Sequence, residues 1–501
     1  MFFSIVTPVY NPIVNFLERA VASVQAQSYA KWEWVLVDDN STEREGIEFL
    51  DNITSQSPRI HLLQNDTNLN ISVTTNIAIS HTSGSWIFFF DQDDLLHASA
   101  LSEVFEGLSQ NPQAKVVYTD EDKVDEDDKH FDPYYKPDWN PALLTSQNYF
   151  CHLLAVKRQH LIEIGKLRKG YEGSQDWDLC LRATSGLNSD EVLHIPKILY
   201  HWRAHPGSTA KSVGEKGQIV EDSSRRTLND LISDRGLDAM IEKVDGIHWN
   251  IRRSLPTDPP SVAIVIVMYD PCSFDEKFLT ELFEKTEYPG RIKVFLPENV
   301  EPSVHRGYSF WSSLSPINET LQEEVVCVLS TSVSPLEKSW LSELVAHASD
   351  LGVGICGPRL IEKKTGLLLS SGLVGDNDGI IKSIYEFSQS SFAGDKYRAR
   401  LQQNLTFLHP ACMVGRSSLF YQEVDFNNLS LVLELNLTVH LSGCRNLLVS
   451  GVDMATDCYT PINFRISESR KLIEWFEEVN YDPSFSPNLT IKSGVPITRA
   501  I

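Results

Sequence analysis

The stretch "FFFDQDDLLHASAL", Phe88–Leu101, passes from an apolar run through a turn holding Asp91, Asp93 and Asp94 into an amphipathic segment. A short apolar run closed by a polar turn fits a strand buried on both faces. The same alternation precedes it. Ser4–Val9 is rich in β-formers, and Phe16, Leu17, Ala20, Val21 and Val24 recur at helical spacing. Trp34–Val37 and Ile60–Leu63 are further apolar runs. Such runs separated by helices predict an α/β fold on a mostly parallel, Rossmann-like sheet. Ligands of these sheets bind beyond the carboxyl ends of the strands. Those ends carry Thr7-Pro8, Asp38-Asp39 and Asp91-Gln92-Asp93-Asp94.

A second stretch, "VLSTSVSPLEKSWL" at Val328–Leu341, has the same layout without the acids. It belongs to an ordered internal repeat. After the Pro-rich patch Leu255–Pro260, "VAIVIV" at Val262–Val267 opens a fresh strand before Tyr269-Asp270-Pro271, as "IVTPVYNP" does at Ile5–Pro12. "QNYFCHLLAVKRQHL" from Gln147 is matched by "QNLTFLHPACMVGRSSLF" from Gln403, and "DWDLCLRATSG" from Asp176 by "ELNLTVHLSG" from Glu434. The expected organisation is one domain over residues 1–250, a linker over 251–260 and a second domain over 261–501.

A net charge of −23 over 501 residues argues against a nucleic-acid backbone as partner. No apolar run reaches the ~18 residues of a membrane span. The N-terminus reads as a strand rather than a signal peptide. Eight cysteines without a CxxC pair suggest buried thiols in a reducing compartment, hence the cytoplasm.

Three aspartates in one turn repel one another unless a cation neutralises them. A hard divalent ion such as Mg²⁺ or Mn²⁺ suits them, and a helix N-cap cluster is the structural alternative. Asp39 can accept from a nucleobase N–H or cap a helix. Asp176, at a loop-to-helix junction, can act as general base or as a cap, with Asp178 pairing to Arg182 on the helix surface. His205 can be a metal ligand, a phosphate contact or a structural histidine. The acid run "DEDKVDEDD", Asp120–Asp128, reads as a solvated loop.

The order "SIVTPVYN", "WVLVDDNST", "FFFDQDD", "SQDWDL" and "YHWRAHPGST" resembles family 2 glycosyltransferases of GT-A fold. "VVYTDEDKVDEDDKHFDPYYKPDWNPALLTSQNYF", Val116–Phe150, is similar to the bacterial subgroup that builds O-antigen and capsule, commonly with tandem transferase domains. The likeness is close from Met1 to about Ala210 and distant over Ser261–Ile501. It implies an inverting, metal-dependent, hexosyltransferase-like enzyme using a nucleotide-diphospho-sugar donor. The acceptor would be a saccharide or lipid-linked saccharide, and the enzyme would work at the inner face of the plasma membrane. By the resemblance Thr7, Pro8, Tyr10 and Asp39 hold the nucleoside, with Asp91 beside the donor. Asp93 faces ribose and metal, Asp94 ligates the metal and Asp176 is the base, with His205 a candidate third ligand. "NLNISVTTN", Asn68–Asn76, has Thr75 where relatives often place a basic residue, so Arg203, His205 or Lys211 must meet the diphosphate. "VLSTSV" and "ELNL" stand where the second domain would carry its acids. That domain is therefore expected to be a degenerate, inactive GT-A fold.

Two other classes compete. A non-catalytic carbohydrate-binding or assembly scaffold would not need Asp39, Asp91, Asp93, Asp94 and Asp176 together. A metal-dependent nucleotidyltransferase would carry a Gly-rich basic loop near the N-terminus, which this chain lacks.

Overall fold

The computed structural model describes residues 1–205, 217–268, 276–297, 309–311, 321–420 and 424–499. Lys211 and Tyr269-Asp270-Pro271 lie outside them. The chain forms two compact units, residues 1–139 with 147–235, and residues 140–146 with 236–501.

In the first unit, strands β1 (Phe3–Val9), β2 (Trp32–Asp38), β3 (Ile60–Gln64) and β4 (Trp86–Phe89) are separated by helices α1 (Val14–Gln25), α2 (Arg44–Gln56) and α3 (Asn70–Ser80). Then come β5 (Leu95–Leu96), α4 (Ala100–Gln110), β6 (Val116–Val124) and β7 (His130–Tyr134). Helix α5 (Pro141–Ser146) precedes β8 (Leu154–Lys157), α6 (Arg158–Glu163), α7 (Gln175–Ala183), β9 (Val192–Arg203) and α8 (Gly217–Asp234). The sheet runs β3-β2-β1-β4-β8-β6-β9-β5, with β7 paired to β6. Strands β1 to β4 and the β6–β9 pair are parallel; β8 runs against both its neighbours. This is the predicted α/β, mostly parallel GT-A architecture. All seven residues of β2 are buried, as a strand covered on both faces requires. Helix α1 buries Phe16, Leu17, Ala20, Val21 and Val24, the face its periodicity predicts.

The acid run departs from its sequence reading. Asp120, Glu121 and Asp122 are buried towards the end of β6, where the charge pattern predicts a solvated loop. Each has its own cationic or imidazole partner. Asp120 meets His194 at 3.0 Å, Glu121 meets Lys136 at 3.1 Å, and Asp122 meets His201 at 2.6 Å. Charges survive burial only when so paired.

The second unit repeats the strand order of the first. Ser309–Trp311, Ile292–Pro297, Val262–Val267 and Val325–Ser330 pair in parallel, in the places of β3, β2, β1 and β4. Cys412–Arg416 runs antiparallel to Val325–Ser330 and Val353–Glu362, as β8 does to β4 and β6. Arg445–Thr456 lies parallel to Val353–Glu362 and antiparallel to Val333–Pro335, in the places of β9 and β5. The boundary falls after Arg235 rather than in the Pro-rich patch. The hairpin Ala239–Asp245/His248–Arg253 joins the second unit because Ile251 N–H donates to Gln402 (3.2 Å) and Arg252 pairs with Glu343. Helix α5 joins it too: Asn140 exchanges hydrogen bonds of 2.8 and 2.9 Å with the backbone of Asn404.

Among the described residues six cysteines carry free thiols, whereas Cys458 is disulfide-bonded. The all-thiol expectation therefore fails, and cysteine usage gives no argument for a reducing compartment.

Candidate active site

The carboxyl ends of β1, β4 and β9 meet at one edge of the first unit's sheet. Gln92 ties the first two strands together. Its Oε1 accepts from Tyr10 N–H at 3.0 Å and its Nε2 donates to Tyr10 O at 3.2 Å. Asp94, only 1% exposed, accepts from the Tyr200 hydroxyl (2.6 Å) and from Arg203 N–H (2.7 Å), both on β9. Asp91 N–H reaches the Tyr200 oxygen at 3.3 Å. Tyr200 thus braces both ends of the acidic turn.

His152, just before β8, stacks on Tyr200 with ring centroids 4.6 Å apart. Its ligand atom and those of Asp91 and Asp94 lie within 4.8 Å of one another. The backbone of His152 is clamped by a buried ion pair: Lys136 Nζ donates to His152 O (2.6 Å), and Glu121 accepts from His152 N–H (2.8 Å). Desolvation raises the Asp91 carboxyl; His152 opposes this, while Asp93 and Asp176 push it further up. Desolvation also holds Asp94 well above the usual carboxylate range, with Asp93 and Asp91 adding to the shift. Asp176, in the first turn of α7, is therefore part of the same electrostatic cluster. Asn148 Nδ2 donates to its Oδ2 at 2.8 Å. The mutually repelling carboxylates and the imidazole beside them form a donor set that fits a divalent ion such as Mn²⁺.

Asp93 is half-buried and pairs with His205 Nε2 at 2.8 Å. Arg203 is wholly buried. Its Nε donates to Asp93 O and its Nη1 to Asp125 O, while Nη2 has no hydrogen-bond partner among the described residues.

The nucleoside candidates are placed unevenly. Tyr10 is exposed and Pro8 half-buried at the end of β1. Thr7 is fully buried: its hydroxyl donates to Phe90 O (2.8 Å) and accepts from the Trp34 indole (2.9 Å). Asp39 accepts from Asn65 Nδ2 (2.7 Å) and from the N–H groups of Leu69 (2.8 Å) and Asn70 (2.9 Å). It caps α3, the structural alternative to a nucleobase contact. Thr75 is buried and bonds back to Ile71 O, away from the acidic turn's network. Asp178 is buried as well, held by Arg168 and Arg182 together rather than in a surface pair.

Residues 4–165 match the Glycosyl transferase family 2 profile, which spans β1 to α6 and includes the acidic turn and His152. Residues 4–165 thus carry a family 2 glycosyltransferase domain. Over 98% of its length this chain is 30% identical to an uncharacterized protein, y4gI, of Sinorhizobium fredii, covering 58% of that protein. It is 27% identical over 88% of its length to the O-antigen biosynthesis protein RfbC of Myxococcus xanthus, covering 36% of it. The chain thus spans about a third to three-fifths of those relatives. Residues 1–349 of S. aureus TarS, solved with UDP-GlcNAc, are a looser likeness: TM-score 0.38 and 15% identity over 46% of this chain and 66% of that one.

Sequence reasoning missed His152, Tyr200, Gln92 and Asn148 in the glycosyltransferase domain. Gln92 and Tyr200 sit inside quoted motifs, and the alternation of β9 puts Tyr200 and Trp202 on the face opposite His201. Nothing local marks His152. Among the described residues no helix is long and apolar enough to cross a membrane.

In the second unit the matching positions are spent internally. Ser330 and Ser332 hydroxyls bond each other at 2.7 Å, and Glu434 accepts from Ser469 at 2.6 Å.

Proposed function

We propose that the glycosyltransferase domain moves a sugar, with inversion, from a nucleotide-diphospho-sugar to a saccharide or lipid-linked acceptor in cell-surface polysaccharide synthesis. The observation that carries this reading is the convergence of Asp91, Asp94 and His152 within 4.8 Å, next to the Asp176 cluster. The O-antigen relative supports the pathway class.

Asp91, Asp93, Asp94 and His152 would hold a divalent ion, Mn²⁺ or Mg²⁺, with His205 acting through Asp93. When bound, that ion would neutralise the diphosphate and improve it as a leaving group. Asp176 takes the proton from the acceptor hydroxyl as that oxygen attacks the anomeric carbon and the bond to the diphosphate oxygen breaks. Asn148 keeps the carboxylate aimed. One displacement on one face inverts the anomeric centre. Tyr10 and Pro8 line the nucleoside end, while Asp39 shapes it through α3. Arg203, wholly buried and paired through Nη1 with Asp128 at 2.7 Å, holds the backbone of the acidic turn through Asp93 O.

The test is a panel of nucleotide sugars screened for Mn²⁺-dependent thermal stabilisation, followed by product analysis with the stabilising donor. Stabilisation by one donor class, lost in EDTA, is expected. Equal stabilisation with and without metal would reject the metal-dependent reading. A donor that stabilises but is never consumed with any saccharide acceptor would favour the scaffold.

A further inference from the structure

Away from the acidic turn, three adjacent strands of the first unit each bring one metal-ligating side chain to a single point. Asp122 lies on β6, His201 beside it on β9, and His130 at the start of β7. Asp122 Oδ1 meets His201 Nδ1 at 2.6 Å and its Oδ2 meets His130 Nδ1 at 2.8 Å. All three ligand atoms lie within 4.8 Å of one another. The two imidazoles stand nearly perpendicular, with centroids 4.6 Å apart, and His97 packs 6.2 Å from His201.

We infer that Asp122, His130 and His201 form a second metal site, for a borderline transition-metal ion of the Zn²⁺ class. Two imidazoles and one carboxylate select such an ion over Mg²⁺ or Ca²⁺, which prefer all-oxygen shells. Hydrogen-bonded strands fix the three donors, so little ordering remains on binding. The carboxylate and His201 are nearly buried, while the His130 side chain is 54% exposed. The site therefore has a closed base and an open side for water as a fourth ligand. Its position suggests its work. His201 and Tyr200 are consecutive on β9, and Tyr200 holds Asp94, so an ion on one face of β9 would stiffen the strand that braces the acidic turn on the other.

The experiment uses the full chain and Co²⁺ as a spectroscopic probe, with Zn²⁺ stoichiometry read by native mass spectrometry. Two single variants separate the sites: His130→Ala, at an exposed side chain, and Asp91→Asn, in the acidic turn. The expected result is two equivalents of Co²⁺ in the wild type, one at each group, and one equivalent with imidazole-type visible bands in Asp91→Asn. In His130→Ala that equivalent should weaken at least ~10-fold, as loss of one of three ligands implies. Zn²⁺ should raise Tm in Asp91→Asn and not in the double variant Asp91→Asn with His130→Ala. Co²⁺ bands unchanged in His130→Ala would overturn the proposal. So would the absence of any Co²⁺ or Zn²⁺ binding in Asp91→Asn, which would leave the trio a hydrogen-bonded cluster only.

Discussion

Asp94 has almost no exposed surface to relieve its charge and two acidic neighbours, which is why burial and repulsion keep its carboxyl raised. A divalent ion competes with protons for such groups, so its affinity should climb as pH rises through the raised carboxyl range of Asp91 and Asp94. Titration of Mn²⁺-dependent donor binding against pH is expected to show that slope, and Asp94→Asn should abolish the binding. Persistence of full turnover in excess EDTA would refute this role. Asp176 is a different case, because its carboxylate faces the cluster without needing to touch nucleotide. Asp176→Asn should lower turnover by about 10²–10⁴-fold while donor affinity stays near wild type. A collapse of affinity with normal residual turnover would make Asp176 a structural cap. The acids of this site are legible in the sequence because repulsive clusters after a buried strand have few other uses. His152 and Tyr200 are not: one reads as a lone histidine and the other as a core aromatic. Only the pairing of β9 and β8 around β4 and β6 brings them to the acids.

Strand β6 shows why composition misleads for one element. Its acids look solvated in a one-dimensional reading, yet their partners lie on β9 and in the Lys136 segment, well away in sequence. His194 on β9 is one of these, bonded to Asp120 at 3.0 Å and Asp138 at 2.8 Å. Burial alone would lower its pKa, but hydrogen bonds to Asp120 and Asp138 and the charges of those carboxylates overcome this and raise it to about 9. Its folded value thus exceeds the ordinary 6.5. The resulting stabilisation is complete below about pH 6.5 and is lost as pH rises towards 9. The loss should amount to a few kcal/mol, seen as a Tm that falls across that window. His194→Asn should flatten the slope in parallel melts. Identical slopes in the two proteins would show that another group controls the alkaline limb. By contrast β1, β2 and α1 fall within a residue or two of their sequence pattern, since their burial follows from local periodicity alone.

Across the whole chain the same strand order occurs twice, and the comparison separates what a fold needs from what chemistry needs. Val325–Ser330 is as fully buried as any strand of the first unit. Its carboxyl end carries Ser330-Thr331-Ser332, which cannot hold a divalent ion unaided. The counterpart of Asp176, Glu434, is tied to Ser469, and the counterpart of Asp178 is Asn436, buried and bonded to Leu408 N–H. Without a metal to neutralise a diphosphate, a remaining acid has no activated leaving group to act on. The double variant Ser330→Ala with Glu434→Gln should therefore leave turnover within about two-fold of wild type, since it touches neither a transition-state contact nor the acidic turn. Point changes in the full chain are the right instrument, because truncation after Arg235 would strand α5. Asn140 and Ala142 would lose their hydrogen bonds to Asn404, and Ala142 its packing on the second unit's core. A crystal soaked with nucleoside diphosphate and Mn²⁺ gives the direct reading. Density at the acidic turn alone is expected; matching density at the end of Val325–Ser330 would mean two working sites and would sink the inactive assignment of the second unit.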